Sequence, residues 1–234
     1  MSTIFIAHRG YSGKYRENTA EAFEMAVRAG FGGIETDVRR TKDGVLVCCH
    51  NSEASYADGT AMEVAEHTFA DLTAKPLYNP FTDTDLRLCS FEEYLRICHE
   101  GNVIAVIELK GTYTPEQIDH VFDMADAIHG LSRCQLQSFH EENLEKAHER
   151  FPALTVVYTC GGHEEYLEQC LKKGFMIAAD QGGLTRETVD RFHEAGIMVD
   201  VWTVNRVDDL KRAREMRCDL IESDLFSSFA PLEE

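Results

Sequence analysis

Residues 33–50 read GIETDVRRTKDGVLVCCH, and how this stretch folds back on itself sets the strand count of the whole chain. Asp43-Gly44 is a strong hairpin signal, because both residues tolerate the positive φ of a type I′ turn. A two-residue turn there sets Asp37 across from His50. Residues two apart in a strand share a face, so Glu35 joins them, and one hairpin gathers two carboxylates and an imidazole. The six residues 39–44 are too few for a parallel crossover, which needs about a dozen. Residues 45–50 therefore return as a hairpin arm and do not count as a strand of the main sheet.

Outward from this hairpin, strand-like and helical runs alternate to both ends. Apolar strand runs lie at 4–7, 34–38, 103–109, 134–139, 154–159, 175–179, 197–204 and 220–221, eight in all. Between them, Asn18-Thr19-Ala20-Glu21 has capping-box character, Phe23, Ala26 and Val27 share a helical face, and Gly30 stops that helix. Ser90 opens a helix with Phe91, Tyr94, Leu95 and Cys98 on one side and Gly101 at its end, and Thr114-Pro115 caps another. Further helices fit 141–150, 163–173, 185–195 and 207–216. Eight strands alternating with helices predict an α/β chain folded as a (β/α)₈ TIM barrel with one hairpin above its rim. A doubly wound open sheet is the alternative, since alternation alone does not prove closure. Residues 1–234 read as a single catalytic domain. The 51–89 segment, rich in Asp and Thr with a short helix signal at 68–71, reads as a small insertion after the second-strand hairpin that caps the site.

Composition narrows the chemistry. Lys and Arg total 23 against 41 Asp and Glu, a net charge of −18. Such a surface argues against nucleic acid and against stable association with anionic membranes, so an anionic substrate must meet positive charge built into its site. No apolar run approaches the ~18 residues of a membrane span, and MSTIFIAH is too short and uncharged for a signal peptide. The eight cysteines show no metal-like spacing; we expect reduced thiols in a cytoplasmic protein. The oligomeric state is open.

Barrel chemistry sits where strands end. The first strand ends in His8-Arg9-Gly10, the hairpin brings Glu35, Asp37 and His50, and the next strand ends in Glu108 and Lys110, two apart and on one face. Phe139 and Trp202 stand at later strand ends as substrate-lining aromatics. Glu35, Asp37 and Glu108 describe a hard-cation site for Mg²⁺ or Ca²⁺, with Mn²⁺ a further candidate. Arg9 and Lys110 suit phosphate oxygens. His8 and His50 could serve as general base and acid, so the residues suggest metal-assisted phosphate-ester cleavage of a small molecule.

The sequence resembles the glycerophosphodiester phosphodiesterase family. The matching elements are His8-Arg9-Gly10, Glu17-Asn18-Thr19, Ile34-Glu35-x-Asp37-Val38, Thr41-Lys42-Asp43-Gly44, His50, Ile107-Glu108-Leu109-Lys110, Gln137-Ser138-Phe139 and Trp202-Thr203-Val204-Asn205. The resemblance implies a barrel enzyme that hydrolyses glycerophosphodiesters to glycerol 3-phosphate and an alcohol, by attack of a glycerol hydroxyl through a cyclic phosphate. It makes Glu35, Asp37 and Glu108 metal ligands, His8 and His50 the acid–base pair, and Arg9 and Lys110 phosphate holders. Asn51 departs from the family's usual Asp after the second histidine, Arg16 from its frequent Pro, and Ile221-Glu222-Ser223-Asp224 from its usual Ile-x-Thr-Asp. A related barrel phosphodiesterase acting on phospholipids and a non-enzymatic sensor of such diesters are the competing readings.

Overall fold

The computed structural model describes residues 3–228. Its eleven strands and eight α-helices are β1 (Ile4–Ala7), α1 (Ala20–Arg28), β2 (Gly33–Arg40), β3 (Leu46–Cys48), β4 (Glu53–Ser55), β5 (Ala61–Glu63), α2 (Phe69–Thr73), α3 (Phe91–Gly101), β6 (Ile104–Leu109), α4 (Pro115–Ile128), β7 (Cys134–Ser138), α5 (Glu141–Arg150), β8 (Thr155–Cys160), α6 (Glu164–Lys173), β9 (Met176–Asp180), α7 (Arg186–Glu194), β10 (Val199–Trp202), α8 (Val207–Met216) and β11 (Leu220–Ser223). Strand β1 pairs in parallel with both β2 and β11. The sheet therefore closes through β2, β6, β7, β8, β9, β10 and β11 into an eight-stranded parallel barrel. Closure removes the open-sheet alternative. Helices follow the strands as the apolar periodicity predicts, and the capping box of Thr114 and Gln117 at Pro115 is present.

Alternation along each strand splits the core in two. Phe5, Ala7, Ile34, Ala105, Ile107, Leu136 and Ile177 face outward into the helix layer. Ile6, Val106, Val157, Met176, Ala178 and Leu220 fill the barrel. Each fully buried Val, Leu, Ile, Phe or Met side chain among them contributes about 1.5–3 kcal/mol. On α3, Phe91, Tyr94, Leu95 and Cys98 are buried as their spacing predicts. The Tyr94 hydroxyl lies 2.8 Å from Ile34 O and 3.2 Å from Val106 O, tying α3 to β2 and β6.

The hairpin forms with a different register. Val38 pairs with Cys48 and Arg40 with Leu46, so Asp37 faces Cys49, whose N–H it accepts at 2.8 Å. Only Gly44 takes a positive φ, +87°. Thr41 N–H donates to Val45 O and Gly44 N–H to Thr41 O, a three-residue loop with a bulge at the glycine. Asp43 directs its carboxylate to the Thr41 hydroxyl and the Phe69 N–H. The single extra loop residue shifts the register by one, so that Asp37 is no longer across from His50.

The 51–89 segment holds more structure than its sequence announces. Strands β4 and β5 form a separate antiparallel pair, and α2 starts at the Thr68/Asp71 capping box. Ala54, Tyr56, Val64, Leu72, Leu77 and Leu88 pack with Val47 and Cys49 into a satellite core, which fastens the segment to β3. All eight cysteines are buried and free.

At the C-terminal end of α4, His129 is buried beside His99, ring centroids 6.1 Å apart. Burial, then the charges of Arg133 and His99, hold its imidazole below the ordinary histidine range. The native state thus binds the proton less readily than the unfolded chain, whose histidine titrates near ~6.5. Stability should be fully present above that pH and decline as pH falls through the native value. Denaturant midpoints at pH 7.5 and 5.5 should differ in that sense, and by less in His129→Gln; equal differences in both proteins would remove His129 as a cause.

Candidate active site

The inward-facing positions of the barrel change character toward its C-terminal rim. Toward the rim the barrel interior holds Glu108, Gln137, Thr159, Asp200 and Glu222, all buried, of which Glu108, Thr159 and Glu222 follow the apolar Val106, Val157 and Leu220 by two residues. Glu35 and Asp37 are 1% exposed each, and with Glu108 they offer oxygens within 4.8 Å of one another. The backbone N–H of Arg9 donates to Glu35 Oε2 at 2.7 Å. Arg9 adopts a left-handed φ of +58° and Gly10 one of +79°. A side chain at Gly10 would meet Ala22 Cβ at 2.8 Å, which explains glycine there. Asp37 accepts from Asn18 Nδ2 at 2.7 Å, and Asn18 in turn accepts from the Thr36 hydroxyl.

Charge balance in this cluster is incomplete. Lys110 Nζ lies 2.8 Å from Asp37 Oδ1 and 2.6 Å from Glu108 Oε1. Arg9 Nε lies 3.4 Å from Asp37 Oδ2, and its Nη1 is 3.1 Å from Glu17. Two cations thus face Glu35, Asp37 and Glu108, with Glu17 drawing on one of them. Burial pushes the Asp37 carboxyl up, yet Lys110 and Arg9 outweigh it and hold it below the ordinary range. Glu35 fares otherwise: burial, then Asp37, Glu222 and Glu108, push it well above the carboxylate range. Burial raises Glu108 too, against the pull of Lys110. The Glu35 Oε1 atom is buried without a hydrogen-bond partner.

Both histidines reach the cavity above these carboxylates. His8, Arg9, His50, Glu108, Lys110, Phe139 and Trp202 line one space of about 120 Å³, together with Gln137, Thr159 and Glu222. His8 Nδ1 is 2.7 Å from Asp224 Oδ1. Asp224 also accepts from Ser12 Oγ at 2.8 Å and from Asn205 Nδ2. Burial alone would raise the Asp224 carboxyl, but its bonds to His8, Ser12 and Asn205 hold it below the ordinary range. His50 Nδ1 meets the side-chain oxygen of Asn51 at 3.0 Å, and the Arg39 guanidinium donates to the Cys49 and His50 carbonyls. Asn51 therefore retains an orienting acceptor while supplying no charge. Burial holds the His50 imidazole below its ordinary range. Trp202 Nε1 donates to Ala178 O, and its indole meets Phe139 edge-on at a 6.0 Å centroid distance.

All nine residues singled out in the sequence thus converge. The reading missed their supports. Asp224, Asn205 and Asn18 stand in motifs that the sequence displays, but no spacing rule assigns their partners. Glu222 and Gln137 were legible by alternation, each two residues before Asp224 and Phe139. None of residues 52–89 lines this cavity.

Residues 8–226 match the sequence profile of the Glycerophosphoryl diester phosphodiesterase family. The chain is 29% identical over 240 residues to a glycerophosphodiester phosphodiesterase of Bacillus altitudinis, spanning 96% of this chain and 95% of that one. A crystal structure of glycerophosphodiester phosphodiesterase from Thermotoga maritima superposes with a TM-score of 0.77 at 26% identity, covering 96% and 95% of the two chains. An Oleispira antarctica phosphodiesterase, solved in complex with the product sn-glycerol-3-phosphate, shares the fold at a TM-score of 0.83 and 19% identity, covering 94% and 92%.

Proposed function

Because this chain belongs to the glycerophosphoryl diester phosphodiesterase family and is an enzyme of that class, we propose that it hydrolyses glycerophosphodiesters to glycerol 3-phosphate and an alcohol with the help of a divalent cation and a histidine pair. The observation that carries this reading is the meeting of three buried carboxylates, two basic side chains and two histidines around one cavity. The product bound by the Oleispira antarctica relative supports the substrate class. Among the described residues no helix is long and apolar enough to cross a membrane.

A hard cation fits the donor set. Glu35, Asp37 and Glu108 are all oxygen donors, which suit Mg²⁺, Ca²⁺ or Mn²⁺ rather than zinc. The unpartnered Glu35 Oε1 and the excess negative charge support the same reading. A cation held there supplies Lewis-acid stabilisation of charge developing on the phosphate oxygens.

The remaining work falls to side chains. Arg9 and Lys110 hold the diester's charged oxygens. His50, kept neutral by partial burial and bonded to an uncharged amide, takes the proton of the attacking glycerol hydroxyl. His8, its Nδ1 fixed on the Asp224 carboxylate, gives a proton from Nε2 to the departing alcohol as the phosphorus–oxygen bond breaks. Water then opens the cyclic phosphate with the two roles reversed. Phe139 and Trp202 wall the cavity against which the substrate packs. The catalytic unit spans the barrel, with 51–89 as an inserted cap-like segment fastened beside the cavity and outside its lining.

The test is hydrolysis of glycerophosphocholine and glycerophosphoethanolamine by the purified protein, read as glycerol 3-phosphate. Activity should vanish with chelator and return with Mg²⁺, Ca²⁺ or Mn²⁺. No product with any metal would overturn the proposal, and product undiminished by chelation would remove the cation from it.

A further inference from the structure

A second cavity, about 240 Å³ and twice the first, opens between the inserted segment and the chain that follows β6. Lys110 lines both cavities. Since the Lys110 ammonium sits against Asp37 and Glu108, the second space begins one side chain away from the carboxylate triad. Arg39 and Arg40 from the end of β2, Gln117 of α4, and Ser52 and Glu63 of the insertion complete its polar wall.

The charge of this groove runs against that of the chain. Acidic residues outnumber basic ones 41 to 23 overall, whereas here Arg39 and Arg40 face the single acidic side chain Glu63, Lys110 being already paired with Asp37 and Glu108. Glu63 already accepts from the Ser52 hydroxyl at 3.2 Å. Arg39 commits Nε and Nη2 to the Cys49 and His50 carbonyls, which fixes its charged head. Arg40 is exposed and makes no ion pair or side-chain hydrogen bond among the described residues. An arginine fork with free donors suits phosphate and carboxylate. A quaternary ammonium would need aromatic faces. The aromatic side chain on this wall, Tyr113, is buried with its hydroxyl bonded to Val38 O.

We propose that this groove receives the alcohol portion of the substrate and selects alcohols that carry negative charge of their own, such as a phosphorylated polyol, over cationic ones such as choline. The inference rests on the phosphodiesterase reading above and adds its headgroup preference. It changes no bond made or broken; it decides which esters are held well enough to react.

The experiment compares kcat/KM for glycerophosphoinositol 4-phosphate, glycerophosphoinositol and glycerophosphocholine. The phosphorylated ester should lead its unphosphorylated counterpart by about tenfold, the scale of one charge-assisted hydrogen bond, with choline last. The lead should shrink with added salt, fall in Arg40→Ala, survive in part in Arg40→Lys, and reverse in Arg40→Glu. Separately, inositol 1,4-bisphosphate titrated calorimetrically should bind the wild-type protein more tightly than Arg40→Glu. Hydrolysis of all three esters at ratios that Arg40→Glu does not alter would overturn the groove and leave the catalytic reading standing. If no ester is cleaved, the catalytic reading falls, and equal bisphosphate binding by both proteins would then overturn the groove as well.

Discussion

Glu35→Gln should abolish most of the turnover while leaving the protein folded. Removing one of three carboxylates from the proposed cation site forfeits several kcal/mol of charge stabilisation, and at about 1.36 kcal/mol per tenfold this is roughly a 10³-fold loss in kcat. The lost activity should be recovered only in part at high metal concentration. Stability should move the other way. Burial and three neighbouring carboxylates disfavour the charged form of Glu35, so a neutral isostere that can still accept the Arg9 N–H relieves repulsion. Asp37→Asn offers the contrast, because it weakens the pairs with Lys110 and Arg9 and leaves charged partners without a counterion. Metal titration and thermal unfolding on the two variants check this. Equal destabilisation of both, or wild-type kcat in Glu35→Gln, would contradict the assignment.

The second large effect concerns the histidines. His8→Ala and His50→Ala should each lower kcat by about 10²–10⁴, the range of general acid–base catalysis. The double variant should lose far less than the product of the two, since the pair acts as a unit. Their roles separate with a leaving group that needs no proton. On a nitrophenyl ester of glycerol phosphate, His8→Ala should regain most of its rate while His50→Ala stays impaired. The opposite pattern would exchange the base and the acid; near-normal rates in both single variants would remove the pair from the mechanism.

Much of this site was legible because barrel strands obey a period of two. Glu35 with Asp37, and Glu108 with Lys110, share faces by arithmetic alone, and the strand ends place them at one rim. The register of the hairpin escaped for a local reason. Asp43 and Gly44 tolerate a two-residue turn, but the Thr41 hydroxyl and the Phe69 N–H draw the Asp43 carboxylate into a longer loop. Phe69 is distant in sequence, so no window around the turn contains that information. The supports of the histidines escaped for the same kind of reason: Asp224 finds His8 through pairing of β11 with β1. In the insertion, three-residue strands reading Glu-Ala-Ser and Ala-Met-Glu carry too few residues for alternation to stand out. Their stability comes from the satellite core, whose members are scattered over forty positions of otherwise polar chain.

The pairing of β1 with β11 sets the order in which competence is acquired. His8 and Asp224 lie 216 positions apart, whereas the carboxylates of the proposed cation site come from β2 and β6, paired neighbours in the first half of the sequence. A chain emerging from the ribosome carries all three carboxylates before β11 is made, yet the aspartate that orients His8 arrives only after that strand. On the proposed mechanism, hydrolysis therefore waits until β11 has paired with β1, and turnover becomes a report of ring closure that cation binding cannot give.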